Sequence, residues 1–198
     1  MSLAVVDSGG ANIASVMQAL ARLGVEAVFT SDPGIIRRAD RVILPGVGSA
    51  GAAMERLRRN RLHHVIPELQ QPVLGICLGM QLLFRHSSEA DTPLLGVIDA
   101  HVDRLPDIDR LRIPHMGWNR VQVSREDPLV DGLDLSWFYF VHSYAAPVGS
   151  WTLAQSQHGH AFTAIVQQAN FRGAQFHPER SAGAGARLLE NFLSLPCN

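Results

Sequence analysis

Apolar and polar positions along the first half of the chain fall into alternating blocks. Short apolar, β-branched runs at 3–7 (LAVVD), 25–30 (VEAVFT), 41–45 (RVILP) and 73–76 (VLGI) read as strands. Between them, apolar residues recur at helical spacing. Ile13, Val16, Met17 and Leu20 follow the i, i+3, i+4, i+7 pattern, with Asn12 placed to cap the helix and Gly24 to end it. A second helix is predicted over about 50–59, and the path then runs through Pro67 and QQP into the strand at 73–76. This alternation predicts an open, mostly parallel sheet with helices on both faces. From Gly96 the pattern changes, and the runs at 96–105, 115–123, 137–147, 151–157 and 162–168 predict antiparallel strands joined by short loops. The chain closes with FRGAQFHPE (171–179) and a helix ending RLLENFL. No repeat, low-complexity linker or charge block divides it, so one domain over 1–198 is expected.

Composition narrows the partners. With 17 Lys+Arg against 18 Asp+Glu, the totals hold no excess of positive charge to attract nucleic acid or an anionic membrane. No apolar run approaches the ~20 residues that span a bilayer, and MSLAVVDSGG lacks the charged-then-apolar pattern of a signal peptide, so a cytoplasmic protein is expected. The two cysteines, Cys77 and Cys197, form no C-x-x-C pair, which argues against a disulfide framework or a thiolate zinc site. The histidine pairs His63/His64 and His158/His160 have no acidic or cysteine companions at ligand spacing, so no metal is expected and these residues read as surface.

Chemistry concentrates in PVLGICLGMQLLF (72–84), where Cys77 is bracketed by Gly75 and Gly79. A cysteine buried only for packing needs no such glycines, whereas a nucleophile on a sharp strand-to-helix turn does. At that turn the sulfur would sit at the carboxyl end of the sheet and at a helix N-terminus, which favours the nucleophilic thiolate. The segment QFHPE adds a base and its orienter: in extended backbone His177 and Glu179 share one side, with Pro178 stiffening the chain and favouring a strand's end. Glu179 would fix the imidazole tautomer while His177 exchanges a proton with Cys77. The acid follows the histidine rather than preceding it, which counts against an α/β-hydrolase esterase.

The loop PGVGSAG (45–51) matches the glycine spacing of a dinucleotide fingerprint, but it follows the third strand rather than the first, and no lysine follows Gly51 as a phosphate loop requires. Two readings stand: a turn that needs glycine, or an oxyanion hole built from N–H groups around Val47 and from Leu78.

SGGAN, LPGVGSA, GICLGMQLLF, PHMGWNRV, FYFVHSY and GAQFHPERS, in this order, make the chain resemble the class I (triad) glutamine amidotransferases, and within them the glutaminase subunits of imidazole glycerol phosphate synthase. The resemblance implies a flavodoxin-like α/β fold with antiparallel strands in the C-terminal half. It implies a Cys77–His177–Glu179 triad, an oxyanion hole at Gly46, Val47, Gly48 and Leu78, and glutamine contacts at Gln81, His142, Ser143 and Tyr144. No cofactor is expected. With no ATP site or second domain to consume ammonia, the acceptor enzyme would be a separate polypeptide, by resemblance the (β/α)₈ cyclase subunit, met through Asn12, Trp118, Tyr139 and Arg180. Two rivals remain at this point: a subunit of another amidotransferase, and a non-hydrolytic elbow-cysteine protein such as a redox sensor or quality-control module.

Overall fold

The computed structural model describes residues 1–9, 13–109 and 111–196; Asn12 and Cys197 lie outside them. The first half runs β1 (Leu3–Val6), α1 (Ile13–Arg22), β2 (Ala27–Thr30), α2 (Pro33–Arg38), β3 (Arg41–Gly46), α3 (Ala50–Arg59), α4 (Leu62–Val65), β4 (Val73–Cys77) and α5 (Leu78–Gln81). The second half runs β5 (Phe84–Ser87), β6 (Thr92–Pro93), β7 (Ile98–Arg104), β8 (His115–Arg120), β9 (Gln122–Val123), β10 (Trp137–His142), β11 (Tyr144–Ala145), β12 (Thr152–His158), β13 (His160–Gln168), β14 (Phe171–Ala174) and α6 (Ala182–Leu193).

The main sheet has the order β2-β1-β3-β4-β14-β13-β12-β9. Its first five strands are parallel, and from β14 through β13 and β12 to β9 each strand runs antiparallel to the one before it. Every residue of β1, β3 and β4 is buried, as expected of strands covered on both sides. Alternation along β1 sends Leu3 and Val5 into an apolar cluster with α1 and α6, while Ala4 and Val6 enter a second cluster with α2, α3 and α4. The doubly covered sheet read from the sequence is therefore present.

Three features depart from the sequence reading. The helix after Cys77 is a single turn, because Leu82, Leu83 and Phe84 are fully buried and the chain goes on into β5. A turn this short has little macrodipole, so what it offers at Cys77 is its unsatisfied backbone N–H groups. Next, the antiparallel block divides: β9, β12 and β13 extend the main sheet, β8 and β10 form a two-stranded ribbon, and β11-β7-β5-β6 form a separate sheet in which β5 and β7 are parallel. Finally, α2 was not anticipated, although Asp32 caps it by accepting from the N–H groups of Gly34 and Ile35, with Pro33 in the first turn.

Candidate active site

Cys77 closes β4 in a conformation that side chains seldom adopt, φ 53° and ψ −111°. Such a backbone costs about 1–3 kcal/mol and persists only where its surroundings hold it. Three glycines hold it here. A Cβ on Gly75 would lie 2.6 Å from the Gly79 carbonyl oxygen, and one on Gly79 would overlap the Leu44 carbonyl group. A Cβ on Gly46 would lie 2.5 Å from the Gly79 N and 2.8 Å from the Leu78 Cβ. Backbone thus packs directly on backbone where β3, β4 and the α5 turn meet. Gly46 is also the register partner of Cys77, so the glycine loop carrying Val47 and Gly48 leaves the sheet beside the sulfur.

The adjacent strand delivers the histidine. Ala174 of β14 pairs with Ile76, and three residues later His177 lines the same cleft as Cys77, near enough for the sulfur to raise the imidazole pKa. The His177 N–H donates to the Tyr139 carbonyl (2.9 Å) and the Ser181 hydroxyl donates to the His177 carbonyl (2.7 Å), which pins the backbone on both sides. Only His177 is extended; Pro178–Arg180 turn into a short 3₁₀ segment, so Glu179 reaches the ring across a turn rather than along a strand. Nδ1 of His177 stands 2.8 Å from Glu179 Oε1, and the carboxylate is almost wholly buried, unlike a solvated surface pair. Burial alone would lower the His177 pKa, but hydrogen bonds and charge from Cys77 and Glu179 outweigh it and raise the pKa to about 10.

Cys77, His177, Val47, Gly48 and Leu78 line one cleft of about 360 Å³, within the range of small-molecule sites. Gln81, His142, Ser143 and Tyr144 line it as well. Gln81 Nε2 donates to the Tyr144 carbonyl (2.9 Å) and to Oε1 of the fully buried Gln175 (3.0 Å), whose own amide points at the sulfur (3.9 Å). Burial pushes His142 down to about 3, and the neighbouring imidazoles reinforce it, so it is neutral at pH 7.

Glu89, which no motif marked, is the one carboxylate among the described residues lining this cleft, and it is held by accepting from the Ala50 N–H at 2.7 Å. An acid in a short polar turn carries no local signal, and only tertiary packing brings it to the cysteine. Missed too was His115 beside His142, with His158 stacked on it at 4.1 Å between ring centroids. His158 is therefore half-buried in a ring cluster, not a surface residue as its pairing with His160 suggested. Of the residues expected to face a partner, Trp118 is half-exposed and meets Tyr139 edge-to-face at 6.0 Å, and Arg180 is exposed next to Glu179. Among the described residues no group of three or more His, Cys, Asp or Glu is placed to hold a metal, and no helix is long and apolar enough to cross a membrane.

The profile of the family Glutamine amidotransferase class-I matches residues 4–195. Imidazole glycerol phosphate synthase subunit HisH of Shigella flexneri is 52% identical over 197 residues, spanning 98% of this chain and 100% of that protein. The same subunit of Escherichia coli (strain K12) is 51% identical over the same extent. A solved structure described as a glutamine amidotransferase superposes with a TM-score of 0.76 at 22% identity, covering 98% of this chain and 97% of the other, a likeness of fold.

Proposed function

Because the chain belongs to the class-I glutamine amidotransferase family, we propose that it is the glutaminase subunit of imidazole glycerol phosphate synthase, acting as a single cytoplasmic domain in histidine biosynthesis. One observation carries the chemical reading: a strained cysteine and a histidine beside its sulfur open into one cleft, and a buried carboxylate behind them holds the far ring nitrogen.

In that reading Cys77 sulfur attacks the γ-carboxamide carbon of glutamine, and a C–S bond forms as the carbonyl oxygen becomes an alkoxide. Backbone N–H groups of the loop Gly46–Val47–Gly48 and of Leu78 stabilise that charge, since both segments stand beside the sulfur. As the C–N bond breaks, His177 gives its proton to the departing nitrogen, which leaves as ammonia. Glu179 favours the imidazolium that makes this transfer possible. His177 then takes a proton from water, whose oxygen attacks the thioester, and glutamate departs with the sulfur restored. Glu89 suits the substrate's α-ammonium, being the acid among the described residues that line the cleft.

Ammonia is useful only if captured before it escapes, and a cyclase subunit would capture it to form imidazole glycerol phosphate and aminoimidazole carboxamide ribotide. Trp118, Tyr139 and Arg180 lie together next to His177, where a docked partner would cover the cleft. The test is reconstitution with the cyclase. Cys77→Ala is expected to abolish glutamine-dependent synthesis while synthesis from added ammonia continues. Loss of both, or full glutaminase activity that the cyclase does not stimulate, would overturn the assignment.

A further inference from the structure

The glutamine-lining segment 142–144 falls at a joint. His142 ends β10, which pairs with β8, whereas Tyr144 begins β11, which pairs with β7. Ser143 between them lies in neither ladder, so the segment is steered from two separate sheets. What spans the joint is a line of side-chain hydrogen bonds whose tautomers are fixed from both ends. His142 Nδ1 faces the Tyr144 carbonyl at 2.9 Å, so it must carry the proton and leave Nε2 as an acceptor. His115 Nδ1 lies 2.9 Å from that Nε2 and must donate to it. His115 Nε2 is then an acceptor, and Asn119 Nδ2 stands 3.2 Å away to serve it. The Asn119 amide is oriented independently, because Nδ2 also donates to the Gln157 carbonyl (2.8 Å) and Oδ1 accepts from the Arg120 N–H (2.8 Å).

We propose that His115, oriented by Asn119, is a positioning residue for glutamine: it fixes the His142 tautomer and ring, and through them the Tyr144 carbonyl that also holds Gln81. This inference rests on the glutaminase reading of the cleft. His115 touches neither sulfur nor cleft, so its contribution is to the shape of the binding wall. Strand alternation supplies the geometry, since His115 and Asn119 share the inner side of β8 while Met116 and Trp118 point out. Burial of both rings agrees with neutral imidazoles in this relay: burial brings His115 down to about 4, and His142 lower still. A proton added to either would set N–H against N–H within the line.

Steady-state glutaminase kinetics of the complex with the cyclase test this. His115→Phe keeps a ring to stack on Phe140 and His158 but cannot donate. It is expected to raise KM for glutamine about tenfold, the effect of one buried hydrogen bond, with kcat changed by less than about threefold. His115→Asn, whose amide nitrogen can take the place of Nδ1, should return KM to within about twofold of the wild type. Asn119→Asp, nearly the same shape, would accept rather than donate at His115 Nε2, reverse that ring's tautomer, and raise KM as the Phe variant does. An unchanged KM in both His115→Phe and Asn119→Asp overturns the inference, as does a loss in kcat at constant KM or an Asn variant no better than Phe. A wild-type complex that hydrolyses no glutamine would instead overturn the glutaminase reading itself.

Discussion

Gly79→Ala is the sharpest perturbation of the elbow. The added methyl would overlap the Leu44 carbonyl oxygen and lie 2.8 Å from the Leu44 carbon and 3.1 Å from the Pro45 carbon. All three are backbone atoms, so no side chain can swing aside; either β3 or the α5 turn must move by about 1 Å. Overpacking of a core costs about 1–3 kcal/mol where side chains can adjust, and here about 3 kcal/mol or more is expected. For a chain of this size each kcal/mol lowers Tm by about 2–4 °C, so a fall of about 6–12 °C should appear in a thermal melt. The same displacement separates the glycine loop from Cys77, and misplacement by about 1 Å costs about 10²-fold in rate. Gly183→Ala is the control: it lies exposed in α6 with nothing within 4 Å of the added Cβ. Ala in place of Gly in a helix favours folding by up to about 1 kcal/mol, so Tm should hold or rise slightly and glutaminase activity should be unchanged. A Gly79→Ala protein with the wild-type Tm and full glutaminase activity would refute the claim that backbone contact holds the nucleophile in place.

Three further outcomes are expected. Glu89→Gln should raise KM for glutamine by about 10- to 100-fold with little effect on kcat, because a charge-assisted bond to the α-ammonium is lost while the amide keeps nearly the same shape; steady-state kinetics of the complex decide it. Arg41 is buried and donates to the Phe192 carbonyl of α6 (3.3 Å) and to the Leu195 carbonyl just past that helix, so Arg41→Met should cost about 3 kcal/mol and about 6–12 °C in Tm. Stability should also fall with acidification. His142 has a folded pKa of about 3 against an unfolded value of 6.5, so the unfolded chain binds the extra proton between these limits and loss begins below pH 6.5. At about 1.4 kcal/mol per pH unit this amounts to about 2 kcal/mol by pH 5, read from urea midpoints, and His142→Asn should flatten that part of the profile.

What could be read from residue order, and what could not, divides along a physical line. Gly75, Cys77 and Gly79 were legible because a strained residue between two close-packed backbones leaves little choice at its neighbours. The glycine loop was legible because strands three and four of an alternating pattern are neighbours in a parallel sheet, which sets Gly46 opposite Cys77. His177 and Glu179 were legible as a pair, but not the turn that joins them, since a proline between two polar residues fits a strand end and a 3₁₀ turn alike. The helix after Cys77 was read without its length, for the apolar run 82–84 satisfies a helix face or a buried strand equally well. Glu89 lies in none of the motifs, and His115 and Asn119 stand inside PHMGWNRV with no role legible there; for these two, register explains why. Whether His115 stands across from His142 depends on the pairing of β8 with β10, and a slip of one residue would turn it away from that ring. Nucleophile and acid–base pair are thus written in local backbone chemistry, whereas the groups that shape the cleft for one substrate depend on pairings between distant strands. Substitutions at these distant positions should therefore alter substrate affinity before they alter the chemical step.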